Sequence, residues 1–194
     1  MVFSSPISST VRESIAFQIA ARMPDAVRLD NRAIKSHSLG ESLRFIYFNP
    51  DRFDKAEPTF AKLLANQKLW HHQIYDNESG ASYARSVADR DDQDAEHAVV
   101  EYGISELPNS LKYGFDWIDQ HVSEDAQADI IFVPSRLVTA IWIHGDELDH
   151  ILVVSQSRAL SLPTDRLLDA GTFAAEMNAA RPIEGLGQRP VNEA

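Results

Sequence analysis

The hydrophobic pattern is clearest across residues 128–156, ADIIFVPSRLVTAIWIHGDELDHILVVSQ. Two apolar runs separated by Pro134-Ser135-Arg136, then an acidic turn and a third apolar run, predict three core strands. Residues 138–143 and 151–155 are expected to pair as an antiparallel hairpin around that turn. Residues 43–48 (LRFIYF) are apolar on both alternating faces and read as a central strand, ended by Asn49-Pro50-Asp51. Residues 69–75 and 82–87 flank a turn containing Gly80 and predict a second hairpin. Residues 98–104 fit a strand or a helix equally, and their pattern does not decide between them.

Helical spacing appears elsewhere. Thr10-Val11-Arg12-Glu13 has the form of a capping box, opening a helix with Val11, Ile15, Ile19 and Met23 on one stripe before Pro24. Gly40 reads as a break. Residues 58–66 predict a short helix with Phe60, Leu63 and Leu64 inward. Leu111, Phe115, Ile118 and Val122 recur at amphipathic spacing after Pro108, and residues 172–180 predict a last helix stopped by Pro182. The expected class is α+β, a mostly antiparallel sheet of about five strands with helices packed on it. Residues 1–9 read as a flexible N-terminus, 10–182 as a single domain and 183–194 as an extended or frayed tail.

Composition narrows the classes. At 194 residues, with 44% hydrophobic and 24% charged, the chain can bury a core without covalent help. It has no cysteine, which excludes disulfides, thiol catalysis and cysteine-zinc sites. No apolar window approaches the ~20 residues of a membrane span, and the N-terminus lacks a basic region ahead of an apolar core. The expectation is a cytoplasmic protein that uses no membrane. Net charge is −11, and residues 89–106 carry seven acids against one arginine. Such a surface repels a phosphate backbone, so nucleic-acid binding is not expected.

Candidate chemistry is sparse. His144, Asp146, Asp149 and His150 crowd the turn of the hairpin predicted between residues 138–143 and 151–155, where two imidazoles and a carboxylate suffice for a divalent metal if the strands bring them face to face. The competing reading is a polar turn with no cofactor. His71 and His72 follow Trp70 in a predicted strand and must point to opposite faces. Asp89-Arg90-Asp91-Asp92-Gln93-Asp94 suggests calcium, but the EF-hand pattern wants glycine sixth and glutamate twelfth, where this chain has Asp94 and Val100. Nucleophile elbows, zinc-protease motifs and phosphate-binding loops are absent from the sequence, so no residue is assigned as catalytic. Arg136, between two apolar runs, either snorkels to solvent or grips an anion. Trp142 reads as core. Tyr113 and Trp117 fall off the apolar stripe of their helix and read as an exposed aromatic pair beside acids, an interface ingredient.

These residues favour a non-catalytic binding or adaptor domain of a bacterial cytosol. Its acidic, aromatic-bearing surface would engage a protein partner, or a second copy through an edge strand. The alternatives are a small metal-dependent hydrolase at the His144/His150 turn, and a sensor of anionic small molecules built on Arg136.

Overall fold

The computed structural model describes residues 2–4, 7–22, 39–50, 60, 68–75, 82–90, 94–146 and 148–183. Within them the chain runs β1 (Val2–Ser4), α1 (Ser9–Arg22), β2 (Leu39–Tyr47), β3 (Leu69–Ile74), β4 (Ser82–Ala88), β5 (His97–Ile104), α2 (Leu107–His121), β6 (Ala126–Val133), β7 (Val138–His144), β8 (Asp149–Ser155), β9 (Leu168–Asp169) and α3 (Ala170–Ala179). One mixed sheet joins eight strands in the order β5-β4-β3-β2-β6-β7-β8-β9, with β1 beside β6. Every pairing is antiparallel except β1 and β2 against β6. The class is α+β as expected, but the strand count is eight on the continuous path rather than about five.

The missing strands have local causes. β1 and β9 span three and two residues, too short for any periodicity to register. β1 also places strand pairing inside the segment read as a loose N-terminus. β5 resolves the undecided segment as strand. A bulge shifts its register opposite Arg85 and Ser86, so its buried positions lose strict alternation. β2 starts at Leu39 instead of Leu43 and runs through Gly40, which reads as a break in the sequence. A Cβ at Gly40 would run into the Tyr75 ring, so the glycine is there for close approach.

Among the described residues, three helices cover the sheet. α2 lies on one face, its Leu111 and Ile118 packed with Phe45, Ala128, Ile130, Ile141, Ile143 and Leu152. The backbone of α2 comes close at Gly114, where an added Cβ would press on Val154 and Ile141. α3 covers the opposite face of β6–β8 through Phe173, Ala174 and Met177, against Ile131, Val133, Trp142, Ile151 and Val153. Asp169 caps that helix by accepting from the Thr172 amide at 3.0 Å.

α1 covers the β3–β5 half of the same face, its Val11, Ile15, Ala16 and Ile19 packed on Leu39, Ile74, Ala84 and Val99. The stripe predicted for Val11, Ile15 and Ile19 is therefore the buried one, but Ser8 rather than Thr10 caps the helix, its Oγ accepting from the Val11 amide at 3.4 Å. The Gln18 side chain holds β5 directly: its amide nitrogen donates to His97 O at 2.7 Å and its oxygen accepts from the Val99 amide at 2.9 Å. Among the described residues of the expected helix at 58–66, Phe60 is fully buried against Phe48, Trp142 and Phe173. The remainder of that segment and residues 184–194 of the expected tail lie outside the described residues.

Candidate functional site

The β7–β8 hairpin forms in the predicted place, but its register separates the two histidines of the turn. His144 sits opposite Asp149, and His150 sits opposite Ile143. Alternation therefore puts His144 and Asp149 on the α3 face and His150 on the α2 face. The two imidazoles are divided by the sheet itself and do not share a ligand position. Asp146 is exposed in the turn. Among the described residues no group of three or more histidines, aspartates or glutamates is placed to hold a metal ion.

His144 has a different partner, one that its sequence neighbourhood conceals. Its Nε2 lies 2.8 Å from Asp129 Oδ2, and Asp129 is 1% exposed on β6. The other carboxylate oxygen accepts from the Arg44 amide at 3.2 Å. The His144 ring stacks on Trp142 at 3.9 Å, and Trp142 Nε1 donates to Asp149 Oδ1 at 2.7 Å. A buried carboxylate thus fixes the imidazole through Nε2, while Nδ1 forms no hydrogen bond among the described residues. That is the geometry of an oriented base.

On α2, Tyr113 is 70% exposed, as expected. Trp117 is half-buried: one side packs on the core beneath α2, and the ring stacks on His121 at 4.0 Å. Lys112 and Asp116 pair at 3.0 Å on the same helix, and Asp119 is exposed. Arg136 does not snorkel. It is 1% exposed in the 3-10 turn Pro134–Arg136 and donates to Ser135 Oγ, so a dissolved anion does not reach it without a change of the turn.

The densest polar chemistry lies in β3, β4 and β5. His71 and His72 do point to opposite faces, and both are fully buried. His71 is sandwiched between Phe45 and Tyr83, at 6.0 and 5.3 Å between ring centroids. Arg85 lies over both of those rings and pairs with Glu101 at 3.0 Å. Among the described residues neither His71 nitrogen is in good hydrogen-bond geometry, although the Gln73 side chain is near enough to act on the ring. Burial first, then the neighbouring Arg85 charge, push its pKa down to about 3, against a small opposing influence of Gln73.

His72, on the α1 face, is the hub of a relay. Its Nδ1 meets Ser42 Oγ at 2.9 Å and its Nε2 meets Ser86 Oγ at 2.7 Å; Ser86 Oγ in turn meets His97 Nδ1 at 2.7 Å. All four residues are buried. Burial drives the His72 pKa well below the ordinary imidazole value, reinforced by His97, His71 and Arg12, and burial lowers His97 while Asp89 partly offsets it. The relay joins residues from four strands, so the only sign of it in the sequence is that histidines and serines fall on buried positions of strands. Among the described residues, no helix is long and apolar enough to cross a membrane. No protein-family model, curated protein or solved structure matches this chain.

Proposed function

We infer that the protein is a non-catalytic cytoplasmic binding domain whose acidic, aromatic-bearing face on α2 engages a basic surface of a protein partner. The observation that carries this reading is Tyr113, 70% exposed on a helix whose other side is fixed in the core by Leu111, Gly114 and Ile118. A tyrosine held on a rigid element presents a large contact area and loses little side-chain freedom on binding, which is why such residues anchor interfaces. Asp116 and Asp119 are exposed toward the C-terminal end of the same helix, and the chain carries a net charge of −11. A second copy docking symmetrically would set these acids against themselves, so a basic partner fits better than a homodimer.

Replacing Tyr113 by a photo-crosslinking residue tests this in cells that naturally express the protein. One discrete adduct is expected, lost when Asp116→Lys and Asp119→Lys are added, and absent when the crosslinker replaces the exposed Arg158. Identical adduct patterns from positions 113 and 158 would sink the reading.

A second reading rests on the Asp129–His144 pair, which supplies an oriented base for hydrolysis without a metal bridge to His150. Its measure is turnover of a panel of activated esters: hydrolysis lost in both His144→Gln and Asp129→Asn is expected, and hydrolysis unchanged in either variant, or absent from the wild type, removes the reading.

A further inference from the structure

The Ser42–His72–Ser86–His97 relay lies on the sheet face that α1 covers, between the apolar positions Leu39, Ile74, Ala84 and Val99 on which the helix packs. As neutral imidazoles, His72 and His97 satisfy three of their four ring nitrogens within the relay; His97 Nε2 is buried without a partner among the described residues. A proton added to either histidine puts a cation in a site closed to water, which is costly unless the site opens. The charges facing the relay favour opening. Arg12 projects from α1 and opposes a charge on His72, with Glu41 on β2 acting on Arg12 rather than on the histidine. His71, on the far face of β3, is neutral over mildly acidic pH and adds no charge, and Asp89, after β4, is the one carboxylate among the described residues that acts on His97. From β4 the relay is faced by Ser86, while Arg85 and Glu101 lie together on the other face.

We propose that α1 is a proton-released cover, which lifts from the β3–β5 half of the sheet on mild acidification while the β6–β8 half stays folded. The helix is the element whose removal hydrates both imidazoles and carries Arg12 away from them. It is held by one apolar stripe, by Gln18 on β5 and by the Arg12 guanidinium on Leu39 O. By contrast, each strand beneath it is tied to its neighbours by backbone pairing.

Amide hydrogen exchange between about pH 7.5 and 5, corrected for intrinsic rates, reads the opening of α1 against that of α3. Each histidine that must stay neutral for closure raises the opening constant up to tenfold per pH unit below about 6.5, so two raise it up to a hundredfold. The expected result is a steep loss of protection in α1 with α3 unchanged. His97→Gln, which keeps a donor and an acceptor but does not titrate, is expected to reduce the slope to about tenfold per pH unit. Loss of protection in α1 and α3 together would mean whole-chain unfolding, and unchanged protection in α1 would mean no release; either overturns the proposal. If the variant does not fold, the wild-type profile alone decides between these outcomes.

Discussion

β7 and β3 occupy equivalent positions, each deep within the sheet with a strand on both sides, and differ in what they bury. In β7 all six residues from Val138 to Ile143 are enclosed, and the only polar one is Thr139. In β3 the five enclosed residues are Trp70, His71, His72, Gln73 and Ile74. Equal burial therefore yields two kinds of core. The first depends on shape and apolar area, and the second on protonation state and hydrogen bonding.

Acid provides the largest expected break in this comparison. His71, His72 and His97 all have folded pKa values below the ordinary 6.5, so the folded state binds fewer protons than the unfolded one. Stability is then complete above about pH 6.5 and falls as pH drops below it, until each folded pKa is reached. The slope is about 1.4 kcal/mol per pH unit for each histidine still neutral. Urea unfolding at a series of pH values should show this decline beginning well before carboxylates titrate. A flat stability between about pH 7 and 5 would mean that the histidines do not control the β3 half.

Next in size is Ile141→Ala in β7, expected to cost about 2–5 kcal/mol with the acid slope unchanged, because the loss is cavity and contact. His71→Phe should act in the opposite direction. A phenyl ring fits between Phe45 and Tyr83 and leaves no orphaned nitrogen, so stability should rise by about 1–3 kcal/mol and the slope should lose one proton. Destabilisation by this change would show that His71 has a partner in solution. The smallest effect concerns Leu137, which follows the 3-10 turn with φ 51° and is 42% exposed. Leu137→Gly relieves left-handed strain and should add about 0.5–1 kcal/mol in thermal unfolding, independent of pH.

The apolar half was the legible half. Long hydrophobic runs in β6, β7 and β8, and the stripe of Leu111 and Ile118 on α2, announce strands and helix directly because burial there follows one residue type. The polar half hides its logic in pairings distant in sequence, Ser42 with His72 and Ser86 with His97, and the Asp129–His144 pair of the apolar half is hidden in the same way. Local crowding misleads in the same way. His144 and His150 are neighbours in the chain, yet a six-residue separation across this turn puts them on opposite faces. Trp117 reads as exposed from its helical position, whereas α2 lies close enough to the sheet at Gly114 for the indole to reach the core.

The two hydrogen bonds from Gln18 to β5 have a further consequence. A primary amide has the same donor and acceptor as a peptide group, so this side chain stands where the backbone of another strand would stand. β5 ends the order of the sheet, and an uncovered end is where identical chains add to one another. Gln18 thus occupies, among the described residues, the backbone groups that a further strand would use, on the helix above the histidines. Gln18→Ala removes that group while leaving the fold's apolar contacts in place, and the expected outcome is more edge-to-edge association than in the wild type, read by light scattering.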